Sequence, residues 1–218
     1  NLLNHEPFLV LSDYLTRNGI VVLRYDDRGV GESKGDFNAS TSIDFASDAS
    51  AAVNYLVSRT DIPIRNIGIA GHSEGGLIAP ITASENNEVD FIVLMAGPGI
   101  PGDSILLLQG DLIAKASGMS EESVKALHEL RKNIMQVAKD EIDNDVMRNN
   151  MITLNKNFIA NTPKHILDEL EMTEDDVEEG LDIYTGEWMQ FFLAYNPRPT
   201  LEHTTIPVLA INGTTDLQ

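Results

Sequence analysis

Ile67-Gly68-Ile69-Ala70-Gly71-His72-Ser73-Glu74-Gly75-Gly76-Leu77-Ile78-Ala79 decides the reading of this chain. An apolar run comes first, then a serine with glycine two residues before and two after it, then a small-residue stretch. That order predicts a buried strand, a tight turn and the start of a helix. It is the context in which G-x-S-x-G acts as a nucleophile elbow. The serine must adopt a strained backbone so that its Oγ projects from the sheet. Residues two before and two after it then crowd the turn, and glycine at 71 and 75 removes the Cβ atoms that would clash. The plainer alternative is a βα turn that happens to contain serine.

Working outward, the first hundred residues alternate between two periods. Residues 7–18 predict a helix, with Phe8, Leu11 and Leu15 at helical spacing and Gly19 as its stop. Ile20-Val21-Val22-Leu23 predicts a buried strand. Ser42 or Asp44 can cap a helix carrying Phe45, Ala49, Ala52, Val53 and Leu56 on its apolar face. Residues 67–70 and 91–95 predict two further strands. Such alternation implies parallel strands joined by helical crossovers.

The pattern changes after Gly102. From residue 103 to about 200 only helix signals appear, including a start at Ser120-Glu121-Glu122, and the strand pattern returns at Ile206-Pro207-Val208-Leu209-Ala210-Ile211. The economical division is a core of residues 1–102 and 201–218 interrupted by a helical insertion at 103–200. Gly97-Pro98-Gly99-Ile100-Pro101-Gly102 matches a dinucleotide fingerprint in letters only. Its two prolines remove backbone donors that a pyrophosphate needs, so it reads as a rigid exit into the insertion. Nine acidic residues and no basic one lie between Asp168 and Asp182. A solvated helical face is the simplest reading of that run, because it lacks the spacing of an EF-hand.

Composition narrows the function classes. The 218 residues carry a net charge of −19, which argues against nucleic acid and anionic membrane surfaces as partners. No apolar run approaches the length of a membrane span, so no membrane insertion is expected. The chain has no cysteine, which excludes disulfides, thiolate zinc sites and a cysteine nucleophile. Residue 1 is Asn, so the chain is expected to begin downstream of a translation start.

Three segments carry a resemblance. Gly71-His72-Ser73-Glu74-Gly75 after a strand resembles the α/β-hydrolase superfamily. Arg24-Tyr25-Asp26-Asp27-Arg28-Gly29-Val30-Gly31-Glu32-Ser33 is similar to the D-x-R-G-x-G-x-S segment after the fourth strand of many members. Pro207-Val208-Leu209-Ala210-Ile211-Asn212-Gly213-Thr214-Thr215-Asp216 resembles the strand and turn that present the triad acid. The segments occur in the family's order, and the branch they resemble includes relatives of prolyl oligopeptidase and dienelactone hydrolase.

The resemblance implies an α/β-hydrolase core with a mostly parallel sheet and a helical lid at 103–200, lacking the first strands and the last strand. It implies a serine hydrolase without cofactor or metal. Ser73 is then the nucleophile and Asp216 the triad acid, although an ordinary turn aspartate is the alternative for the latter. The Glu74 backbone N–H is one oxyanion donor. The Glu74 side chain is expected at the helix N-terminus, favoured there by the dipole. The catalytic histidine is expected beyond Gln218 and the second oxyanion donor before Asn1, so the 218 residues alone are expected to be inactive. Asp26, Asp27 and Arg28 are read as a loop ion pair in preference to a substrate wall. Trp188, Phe191 and Phe192 either line an acyl pocket or pack the lid onto the core. Carboxylic esters are the first substrate class, short peptides the second, and a non-catalytic hydrolase-like module the alternative of a different kind.

Overall fold

The computed structural model describes residues 5–217, and the chain divides into two compact units between Phe37 and Asn38. The first unit holds helix α1 (Pro7–Arg17), which starts with proline at its first turn. It ends where Asn18 N–H bonds back to Tyr14 and Leu15 and Gly19 turns left-handed at φ 82°. The run at 20–23 corrects the sequence expectation. It forms no β-ladder among the described residues, and Ile20 and Val21 remain 52% and 54% exposed. A β-branched run becomes a strand only when a neighbour takes up its backbone hydrogen bonds. The loop that follows is held by Asp26. Its carbonyl accepts from Ser33 Oγ at 2.7 Å, and its carboxylate lies where a Cβ on Gly31 would sit.

The second unit contains a three-stranded parallel sheet in the order β1 (Gly68–His72), β2 (Phe91–Met95), β3 (Val208–Ile211). Gly68 stands opposite Phe91, and Met95 opposite Ile211. Helix α2 (Ser42–Ser58) precedes the sheet and α3 (Gly75–Glu85) joins β1 to β2. The cap of α2 is Thr41 and not Ser42. Asp44 closes a capping box by accepting from both the N–H and the hydroxyl of Thr41 at 2.9 Å. Ser42 is therefore free for another use and is fully buried. Val53 of α2, Ala79 of α3, Ile67 just before β1, and Ile92 and Leu94 of β2 make one apolar core.

Between β2 and β3 the chain is helical, as the sequence implies: α4 (Gly102–Ala116), α5 (Glu121–Asp140), α6 (Asn144–Asn161), α7 (Lys164–Leu170), α8 (Glu187–Ala194) and α9 (Arg198–Glu202), with two 3-10 turns between α7 and α8. This insertion has its own core, built on Leu130, Ile134, Met147, Met151, Met189 and Leu193. A second cluster joins the insertion to the helices beside the sheet: Ile105 of α4 and Phe192 of α8 against Ala46 of α2 and Leu77 and Ile81 of α3.

The acidic run is not one helical face. Its carboxylates are used as local fasteners. Glu169 accepts from the N–H of Ser120 at 2.7 Å, from its hydroxyl at 2.6 Å and from the Ser123 hydroxyl, so it secures the start of α5. Arg148 of α6 bonds Asp182 at 2.6 Å and Glu178 at 2.9 Å. The hydroxyls of Ser120 and Ser123, with the Ser120 N–H, hold the Glu169 carboxyl below its usual pKa, and Thr173 does the same for Asp176. A carboxyl whose folded pKa is depressed stabilises the fold above its unfolded value, about 4.3 for glutamate, and stops doing so as pH falls through the folded value. Melting temperature is therefore expected to drop on acidification below about pH 4.3, and Glu169→Gln is expected to flatten part of that drop. A pH–melting profile with the same slope in both proteins would contradict this.

Candidate active site

Ser73 directly follows β1 and precedes α3 by one residue, at φ 53°. Left-handed backbone at a residue with a Cβ costs about 1–3 kcal/mol and persists only where the surroundings enforce it. Here they do. Ser73 N–H donates to the carbonyl of Met95 at the end of β2 at 2.9 Å, and Gly76 N–H donates to the Ser73 carbonyl at 2.8 Å. A Cβ on Gly71 would lie 1.9 Å from the Gly75 carbonyl oxygen, so this glycine is obligatory. Gly75 is different from what the motif suggests. A Cβ there meets nothing within 4 Å, and the tight partner on that side is Gly76, whose Cβ would fall 2.4 Å from the Gly97 Cα. The loop after β2 is thus pressed backbone to backbone against the first turn of α3.

Ser73 is half-buried, and its Oγ has no hydrogen-bond partner among the described residues. The Glu74 N–H likewise has no acceptor among them, as the first donors of a helix do not. A free hydroxyl beside a free N–H at a helix start can attack a carbonyl and hold the oxyanion that results.

Asp216 lies beyond the carboxyl end of β3, in a turn closed by its N–H bonding to the Gly213 carbonyl at 3.1 Å. Because the strands are parallel, Ser73 and Asp216 occupy the same edge of the sheet. The edge is continuous: Ser73 N–H bonds Met95, and Ala96 N–H bonds Ile211, both at 2.9 Å. One strand intervenes, so the β1 and β3 backbones stand about 10 Å apart.

Three of the five histidines are engaged elsewhere. His128 Nδ1 pairs with Asp111 at 2.8 Å, His165 lies 3.3 Å from Glu122, and His203 Nδ1 donates to the Pro199 carbonyl at 2.6 Å. Among the described residues no group of three or more His, Cys, Asp or Glu side chains could hold a metal ion.

Glu74 stands at the N-cap position of α3, at the helix N-terminus as expected. It makes no cap hydrogen bond to its own helix. Its Oε1 accepts from Ser42 Oγ at 2.6 Å and from the indole N–H of Trp188 at 2.8 Å. Two neutral donors from two other elements thus meet the carboxylate at the start of α3. Trp188 stacks on Phe192 with ring centres 5.7 Å apart, and Phe191 stacks on Tyr195 at 5.3 Å. Phe192 is buried in the cluster that joins the insertion to α2 and α3.

The family model of serine aminopeptidase S33, a hydrolase family, matches residues 7–179. The chain belongs to the serine aminopeptidase S33 family. This places it in the α/β-hydrolase superfamily, as the three sequence segments imply. Within the S33 match lie both the elbow and the arginine-glycine loop at 24–33. Esterase EstD of Thermotoga maritima is 29% identical over 121 residues, covering 54% of this chain and 28% of the esterase. The chain therefore spans less than a third of that relative's length. The N-acyl homoserine lactonase AidH, complexed with N-butanoyl homoserine, aligns with a TM-score of 0.43 and 16% identity over 88% of this chain and 60% of the lactonase.

Proposed function

We propose that the protein is a serine hydrolase that cleaves carboxylic esters with Ser73 as nucleophile. The observation that carries this reading is the left-handed Ser73 between β1 and α3, held by Met95 and by the obligatory Gly71. In the proposed reaction Ser73 Oγ attacks the ester carbonyl carbon while an imidazole takes its proton. The Glu74 N–H stabilises the oxyanion. Collapse expels the alcohol, which leaves with the proton from the imidazolium. Water then attacks the acyl-serine by the same route, releasing the acid and restoring the hydroxyl.

Asp216 is the orienting acid of this proposal, supported by its place on the same sheet edge. The imidazole is the remaining member of the triad, in the Ser, acid, His order of the superfamily. Residues 103–200 serve as a lid, with Trp188 and Phe191 nearest the acyl group and Phe192 anchoring the lid. The substrate is a small neutral ester.

A peptidase acting on short peptides is the second reading, supported by the family's aminopeptidase description. The likeness to an esterase supports taking esters as the first reading. Assaying the full-length protein on p-nitrophenyl acetate and butyrate and on aminoacyl p-nitroanilides separates the two. Ester turnover with kcat/KM of about 10⁴ M⁻¹s⁻¹ or more is expected, with anilides at least about a hundredfold slower. Preference for anilides with a free α-amine would make it a peptidase. No turnover of either by the full-length protein would favour the non-catalytic module.

A further inference from the structure

Glu74 is tied to the elbow at one end and to the insertion at the other. Its backbone follows Ser73 and begins the first turn of α3 at φ −54°, ψ −32°. Its carboxylate holds Ser42 of α2 and Trp188 of α8 through a single oxygen. Ser42 is fully buried, and its hydroxyl donates to Glu74. Trp188 is stacked on Phe192, and Phe192 is packed where a Cβ on Gly102 would fall 1.8 Å from its carbonyl oxygen. Both donors are therefore fixed by their own packing, and the carboxylate must come to them. Ser42 and Trp188 are the partners of the Glu74 carboxylate among the described residues, so these two neutral donors carry its anchoring.

We infer that the Glu74 carboxylate is a positioning residue that couples the seating of α8 to the direction of the Glu74 N–H, the oxyanion donor of the reading above. With α8 seated, Trp188 and Ser42 together fix the side chain and, through Cα, the peptide that precedes it. With α8 lifted, one of the two restraints is gone and the donor is free to rock. The insertion thus acts on the chemical step and not only on substrate entry. This inference rests on the serine-hydrolase proposal.

The test uses the full-length protein and p-nitrophenyl acetate, whose two-carbon acyl group is too short to depend on a lid-lined pocket. Glu74→Ala and Trp188→Phe are each expected to lower kcat about tenfold or more, the range expected for a lost hydrogen bond to a charged group, while KM changes by less than about threefold. The double variant is expected to be no slower than the slower single variant, because the two changes break one contact. Glu74→Gln keeps an oxygen acceptor for both donors and is expected to restore kcat to within about threefold.

Trp188→Phe keeps the ring stack and serves as the test if Glu74→Ala does not fold. Melting temperatures are read alongside. A lower melting temperature with kcat unchanged in Trp188→Phe would overturn the coupling, as would a Glu74→Gln variant as slow as Glu74→Ala. The underlying reading fails in a different way: Ser73→Ala would retain turnover, whatever the Trp188 variant does.

Discussion

Ser73→Ala in the full-length protein is expected to lower kcat on p-nitrophenyl butyrate about 10⁶-fold and to abolish labelling by a fluorophosphonate probe. Its neighbours in the turn offer no comparable nucleophile: His72 is imidazole, Glu74 is engaged by Ser42 and Trp188, and the chain has no cysteine. The fold should survive, since Ser73 Oγ makes no hydrogen bond among the described residues. Ser73→Gly separates catalysis from strain. Glycine removes the penalty of φ 53°, so this variant is expected to be equally inactive yet more stable by about 1 kcal/mol, or roughly 2–4 °C in melting temperature for a chain of this size. Retained turnover in either variant would remove Ser73 from the mechanism.

The two glycines of the motif are expected to behave in opposite ways. Gly71→Ala puts a Cβ 1.9 Å from the Gly75 carbonyl oxygen, a backbone atom that cannot rotate aside. Either the strand end or the first turn of α3 must move. The cost is expected to be about 3 kcal/mol or more, with activity lost through displacement of Ser73. Gly75→Ala meets nothing within 4 Å and sits at the first residue of α3. It is expected to be neutral, or stabilising by about 0.5 kcal/mol. Chemical denaturation of the two single variants checks the contrast. Equal destabilisation would show that the turn is looser than its contacts imply.

The elbow was legible in the sequence because its cause is local. Strand, strained serine and helix start lie within a dozen residues, and periodicity with glycine placement reports them directly. The return of a strand at Val208 after a long helical stretch was legible for the same reason, and so was the rigid exit through Pro98 and Pro101 into α4. The run at 20–23 shows the limit. Its residues favour strand, but a ladder needs a second segment, and local preference does not supply one. Thr41 displaced Ser42 as the cap of α2 because Asp44 stands at the right spacing for a capping box with Thr41. The Glu74–Trp188 contact left no sequence signal at all. It joins residues 114 apart, and neither residue belongs to a pattern that points to the other. The acidic run was legible as charge but not as purpose, because the serines and the arginine that its carboxylates bind lie on α5 and α6.

The distance along the chain between Glu74 and Trp188 also has a meaning for biosynthesis. At typical rates of about 5–20 residues per second, the 114 residues that separate them take on the order of ten seconds to synthesise. During that interval β1, α3 and β2 can already pair, since everything they need has emerged. The far side of β2, which β3 will cover, stays unpaired until the insertion and then Val208–Ile211 have been made. Phe91-Ile92-Val93-Leu94-Met95 is an uncharged apolar strand, and an open edge of that composition invites pairing with another nascent chain. The long helical insertion therefore sets a window of vulnerability at the ribosome. The protein's yield in a cell is then expected to depend on how fast the insertion collapses and delivers β3, a property that no measurement on the finished protein would register.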